Sequence, residues 1–240
     1  MQSPFGNYHA GDVQWSGAVS ADRLQQALTY RRRGLSVIPI KPKDKKPLIA
    51  WEAYQKELAA EATIKHWFES WPNANIGLVT GAVSDCIVVD LDSDEATKKL
   101  KSLLGDYDLS AVPRSRTGKG FQLFFKHPGV SIPNRAGILP NIDIRADGGY
   151  VVAPPSIHPN GKEYKWEVPI GSELPKIPSA LFEIISNHVT GNETGNGNGT
   201  RPRFDTASAL KGVPEGKRRE TVFKLACKLR RADVPIWQKS

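Results

Sequence analysis

The chain has 240 residues, of which 39% are hydrophobic and 24% charged, with a formal net charge of +8. That is enough for one large domain, or one domain with an appendage, and no apolar run is long enough to span a bilayer. The positive balance points to a polyanionic partner, nucleic acid or a phosphate-bearing substrate, while excess lysine also serves solubility. The two cysteines, Cys86 and Cys227, lie far apart with no CxxC or Cys/His companion. This argues against a disulfide framework or zinc site and makes a reducing, cytoplasmic setting the expectation. The first six residues lack the basic-then-apolar layout of a secretory signal.

Residues 1–20 are rich in Gly and Ser, show no period, and read as a loose lead-in. Residues 21–33 carry Leu24, Ala27, Leu28 and Tyr30 close to helical spacing. Arg31, Arg32 and Arg33 suit the negative end of that helix, and Gly34 suits the position after it. Residues 35–40 predict a strand that Pro39 confines to an edge or an end. Residues 41–48 form a basic loop punctuated by prolines. It is either a solvated hairpin tip or a phosphate contact, with Lys46 the candidate. Residues 62–71 predict a helix with Ile64, Trp67, Phe68 and Trp71 on a core-facing side.

Residues 75–81 predict a second strand, bracketed by glycines, and residues 86–92 a third. The latter is short, apolar and β-branched, and ends in Asp90-Leu91-Asp92. A turn over 82–85 suggests that the two strands form an antiparallel hairpin. Alternation puts Asp90 and Asp92 on one face, roughly 7 Å apart. Two such carboxylates repel and resist desolvation unless a cation joins them, and their hard oxygens suit Mg²⁺ or Mn²⁺. The bland alternative is a strand running out into solvent. Residues 93–104 then predict a helix, capped by Ser93 or Asp94, whose positive end lies near the carboxylates.

Residues 112–125 read as strand, tight basic turn, strand. Gly118 and Gly120 let backbone approach a ligand, and their N–H groups can face an anion. Arg114, Arg116 and Lys119 add charge. The turn is not a P-loop, which needs Gly-Lys-Ser/Thr at a helix start. Gln122 is a polar group in an apolar strand and needs a partner. In residues 141–145, Asp143 and Arg145 share a face opposite Ile142 and Ile144; the pair is either a plain salt bridge or a third metal ligand oriented by Arg145. Gly148-Gly149 turns the chain into a strand over 150–153, which Pro154-Pro155 stops. His158 follows, as a loop residue or a phosphate donor, and residues 163–166 close a hairpin.

Residues 176–189 predict a helix that closes the domain. Residues 190–200 are Gly- and Asn-rich without apolar content and read as a flexible linker. Residues 221–231 predict a basic amphipathic helix with Val222, Leu225, Ala226 and Leu229 as its stripe. One helix is too short for a core of its own, so residues 201–240 read as the start of a truncated helical module or as a helix docked on the main domain.

Taken in order, these motifs resemble the bifunctional DNA primase/polymerase domain of the archaeo-eukaryotic primase superfamily. The resemblance rests on Arg33-Gly34-Leu35-Ser36-Val37-Ile38-Pro39, Lys45-Lys46-Pro47, Asn75-Ile76-Gly77 with Thr80-Gly81, and Val89-Asp90-Leu91-Asp92. It continues through Thr117-Gly118-Lys119-Gly120, Ile142-Asp143-Ile144-Arg145 and Gly149 to Ser156 with His158. It implies an α+β fold: mixed or antiparallel sheets with flanking helices, an RRM-like catalytic core over residues 21–189 and a C-terminal helical segment. It implies primer synthesis and extension on single-stranded DNA from nucleoside triphosphates. Two Mg²⁺ or Mn²⁺ ions would be held by Asp90, Asp92 and Asp143. Nucleotide contacts would fall on Lys46, Arg114, Arg116, Lys119, Gln122, Arg145 and His158. A monomer working with a fused or separate helicase, away from membranes, is the accompanying expectation. One departure stands out: the family usually has histidine where this chain has Gln122, and an amide cannot carry charge. A metal-dependent nuclease, or a non-catalytic module that binds nucleic acid or a replication origin, would use the same features.

Overall fold

The first helix shows how local sequence sets boundaries. The computed structural model describes residues 21–191; the expected lead-in, the basic helix at 221–231 and all of the expected linker but Thr190 and Gly191, which are helical, lie outside them. Helix α1 (Ala21–Arg32) buries Ala27, Leu28 and Tyr30. It stops where Gly34 takes φ +81°. There the Gly34 N–H donates to the Arg31 carbonyl at 3.0 Å and the Leu35 N–H to the Tyr30 carbonyl at 3.1 Å. This paired closure needs a residue at ease in the left-handed region.

The chain then enters β1 (Ser36–Ile40), which pairs antiparallel with β2 (Asn75–Val79). Strand β2 pairs on its other side with β8 (Tyr150–Ala153), giving the order β1-β2-β8. Pro39 thus sits on an edge strand, as its missing N–H requires. The basic loop folds back along that edge, with Leu48 N–H donating to the Pro39 carbonyl at 2.9 Å.

A larger sheet contains β3 (Cys86–Leu91), β4 (Arg114–Arg116), β5 (Phe121–Lys126), β6 (Arg135–Leu139), β7 (Ile142–Arg145) and β9 (Lys165–Val168). Its order is β6-β7-β3-β5-β4-β9, with every neighbouring pair antiparallel. The four central strands run β7-β3-β5-β4, and α3 (Asp94–Leu104) follows β3, which is the RRM-like arrangement. Ser93 caps α3, its hydroxyl accepting from Ala96 N–H at 3.1 Å. With α2 (Glu61–Ser70) and α4 (Ser179–Gly191), the described residues make an α+β fold of four α-helices and two antiparallel sheets. None of these helices is long and apolar enough to cross a membrane. One continuous core takes Val88 and Phe124 from the large sheet, Ile76, Leu78 and Val151 from the small one, and Trp67 and Phe68 from α2.

Two expectations need correction. Strands β2 and β3 do not form a hairpin. Both neighbours of β2 are already taken by β1 and β8, and only Gly81 and Cys86 bridge the two segments. Gly81 at φ +96°, a 3₁₀ turn over Ala82–Ser84 and Asp85 at φ +45° redirect the chain from one sheet to the other. Trp71 does not extend the buried stripe of α2 either; it follows the helix's last residue and is 37% exposed.

Candidate active site

Strand register builds the site. Asp90 on β3 stands opposite Asp143 on β7 and opposite Gln122 on β5, and Gln122 stands opposite Ser115 on β4. Residues directly opposite in a ladder share a face. Ser115, Gln122, Asp90 and Asp143 are therefore one polar row across four strands. Asp92, two residues beyond Asp90, has its N–H donating to the Asn141 carbonyl at 2.9 Å, which holds the end of β3 against the start of β7. The register sets Asp143 against Asp90, 53 positions earlier in the chain.

The carboxylates are not equivalent. Asp143 is held on both oxygens, by the Arg145 Nη2 at 2.6 Å and by the Gly137 N–H at 2.7 Å. The Arg145 Nε also lies 3.9 Å from the Asp90 Oδ2. Burial pushes the Asp90 carboxyl up to about 6, and the charges of Asp92 and, less strongly, Asp143 add to that, against Arg145 and Lys45. The set fits a divalent cation on two counts: the donors are hard carboxylate oxygens, and Asp90 bears a like-charge repulsion that a cation relieves. As the side chains stand, no group of three His, Cys, Asp or Glu among the described residues is gathered closely enough to hold a metal ion.

Beside this row lies a cavity of about 200 Å³, lined by Lys45, Asp90, Gln122, Arg145, Tyr150 and Tyr164 among others. The lysine that reaches it is Lys45, not Lys46, which does not line it. Tyr150 fixes the loop by donating its hydroxyl to the Lys45 carbonyl at 2.9 Å. Gln122 finds its expected partner: the Ser115 hydroxyl donates to its Oε1 at 3.0 Å. Tyr164 is buried, and burial, followed by the Asp90 and Asp92 charges, pushes its phenol up, so it stays protonated.

The glycine turn works differently from the expectation. The Thr117 Oγ1 accepts from Lys119 N–H at 3.1 Å and Gly120 N–H at 3.0 Å, so those donors are already used. A Cβ at Gly120 would collide with the Leu91 carbonyl, and one at Gly118 with the His158 ring. These glycines let the turn pack against β3 and His158. His158 is buried, and its Nδ1 accepts from Asn160 N–H at 3.2 Å, which places its proton on Nε2. Burial, then the Lys45 and Lys119 charges, lower its pKa against the Asn160 hydrogen bond and Asp92. Lys119 is exposed near this imidazole.

Arg114 and Arg116 are not brought to the carboxylates. Their register partners are Leu123 and Phe121, so they occupy the face opposite Gln122. Arg114 is fully buried, bonded to Glu167 at 3.1 Å and to the Leu109 and Ser110 carbonyls. Arg116 pairs with the other oxygen of Glu167 and lies 5.2 Å over the Phe121 ring. The period of two carried this information, since Arg114 and Arg116 alternate with Ser115. Lys45, Tyr150 and Tyr164 were not among the site residues expected from sequence, although Lys45 belongs to the basic loop read as a phosphate contact.

Residues 27–180 match the family described as bifunctional DNA primase/polymerase, N-terminal. No curated protein matches the chain.

Proposed function

The chain belongs to the bifunctional DNA primase/polymerase N-terminal family, and from that premise we propose that it is a template-dependent nucleotidyltransferase that makes and extends primers on single-stranded DNA. A primase/polymerase-type function follows from the family; the chemistry below is our reading. The observation that carries it is the register of Asp90 against Asp143, with Asp92 at the same end of β3.

Asp90, Asp92 and Asp143 would hold two Mg²⁺ or Mn²⁺ ions, which in nucleotidyl transfer activate the attacking 3′-hydroxyl and neutralise the leaving pyrophosphate oxygens. Lys45 and Arg145 face the same cavity and offer positive charge to a triphosphate. The Gln122 amide offers one uncharged hydrogen bond where the family places histidine. His158, neutral and protonated on Nε2, would offer an uncharged donor from beside the cavity, which it does not line. The protonated Tyr164 phenol walls the cavity. Template and primer would be gripped mainly by backbone phosphate, with binding that weakens as salt rises. A helicase, fused or separate, would supply the single strand.

Primer extension with a labelled primer, template, dNTPs and Mn²⁺ tests this reading. Elongated products lost in the Asp90→Ala/Asp92→Ala double variant are expected. Shortened products would instead mark a nuclease, and nucleic-acid binding without either product would mark a binding module. Gln122→His is expected to lower the nucleotide KM and to favour initiation over extension; unchanged kinetics would remove Gln122 from the nucleotide site.

A further inference from the structure

Arg145 is placed where an arginine has no evident reason to be if the neighbouring acids exist only to bind cations. Its Nη2 is 2.6 Å from the Asp143 Oδ2, and its Nε is 3.9 Å from the Asp90 Oδ2. One guanidinium thus reaches both of the acids that face each other across β3 and β7. The second oxygen of Asp143 is held by the Gly137 N–H. Each Asp143 oxygen therefore already accepts one hydrogen bond, one of them from the guanidinium. The guanidinium also lines the cavity, and its side chain is 29% exposed, so it has space to turn into.

We propose that Arg145 is the built-in counter-cation of the Asp90/Asp143 pair, and that it leaves the pair for the cavity when a divalent ion takes its place. This rests on the reading of Asp90, Asp92 and Asp143 as a metal site. In the metal-free protein the guanidinium offsets the repulsion of two facing carboxylates and keeps β3 and β7 in register. Displaced, it carries its charge into the cavity that Lys45 and Gln122 line, where a nucleotide's phosphates would sit. Metal and nucleotide then help each other bind: the ion frees the guanidinium, and the phosphates give it a new partner. Linkage of this kind is reciprocal. Arg145 thus acts on the metal through the carboxylates and on the nucleotide directly.

The test is Mn²⁺ binding to the full 240-residue chain, followed by the paramagnetic resonance of free Mn²⁺, without and with a non-hydrolysable dNTP. Arg145→Met removes the competing charge, so Mn²⁺ alone should bind about tenfold more tightly than to wild type. The gain that dNTP brings to Mn²⁺ affinity should shrink in the same variant. Arg145→Lys keeps the charge and should leave Mn²⁺ affinity near that of wild type. A merely structural arginine would give the opposite sign, weaker binding on removal. If Arg145→Met binds Mn²⁺ alone no more tightly than wild type, while wild type binds Mn²⁺ with dNTP, the inference is overturned and the metal site stands. If wild type binds no Mn²⁺ even with dNTP, the metal reading itself fails. Should Arg145→Met not fold, the wild-type protein decides. The Arg145 Nε–H resonance, assigned by its loss in Arg145→Lys, should move on saturation with Mg²⁺ and dNTP. A resonance that stays in place overturns the proposal.

Discussion

At the level of single residues, Asp90 concentrates the tension of the site. Its carboxyl sits at about 6 because burial and Asp92 disfavour its charge. In the unfolded chain an aspartate ionises near 3.9. The folded state therefore holds the proton more tightly, and the sign follows: stability is full below about pH 4 and declines as pH rises through about 6. In EDTA, Asp90→Asn should unfold at higher urea than wild type at pH 7, by about 2–3 kcal/mol, with the difference vanishing near pH 4. A variant less stable than wild type at pH 7 would mean that the carboxylate is already compensated. Lys45 gives a second residue-level test. Lys45→Ala should raise the dNTP KM about tenfold, the loss of one charged contact of about 1.4 kcal/mol. Lys46→Ala should leave it unchanged, because Lys46 does not line the cavity. Equal effects from the two lysines would move the phosphate contact out to the loop at large.

Among the elements, the hairpin β4–β5 separates two jobs by strand alternation. One face carries Ser115 and Gln122 in line with Asp90; the other carries Arg114 and Arg116, clamped to Glu167 just before the end of β9. Arg114→Ala would remove the buried guanidinium that bonds one Glu167 oxygen and the Leu109 and Ser110 carbonyls, leaving Arg116 alone on the other oxygen of Glu167. It should cost about 3 kcal/mol in denaturant unfolding, with dNTP affinity of the folded fraction unchanged. A selective loss of dNTP affinity at normal stability would return Arg114 to the nucleotide site. The turn between these strands is equally constrained. Gly120→Ala sets a methyl group against the Leu91 carbonyl and should destabilise by about 1–3 kcal/mol, measured by urea titration; a neutral result would mean that the turn yields.

Across the whole molecule, what could be read from sequence was whatever depends on local order. The cap of α1 at Gly34, the edge placement of Pro39, the Ser93 cap and the shared face of Asp143 and Arg145 all follow from neighbours in the chain. The partner of each strand does not. Residues 75–79 and 86–91 are adjacent, yet their sheets differ, because a long-range partner, β8, competes for β2 and wins. The same limit applies to the site. That Asp90 and Asp92 share a face was visible from their spacing, and Asp143 was one of two readings of the Asp143/Arg145 pair, whereas the pairing of β7 with β3 that sets Asp143 opposite Asp90 has no local signal. Lys45, Tyr150 and Tyr164 come from three separate loops and strands around the cavity, and nothing in their local sequence marks them as neighbours. The glycine turn shows the same limit: close approach was legible, but that β3 and His158 are what the glycines pack against was not.

The most direct test of the central claim is primer synthesis on single-stranded DNA, with labelled ribo- and deoxyribonucleotides and with Mg²⁺ or Mn²⁺, comparing the full chain with Asp143→Asn. Asp143 is the acid farthest in sequence from the other two, and its amide variant keeps size and an acceptor oxygen while losing the charge. Our account predicts template-directed products from the wild-type chain and a loss of at least about a thousandfold in Asp143→Asn, on the scale of removing one strong transition-state electrostatic contact. Products of equal yield from both proteins would contradict it.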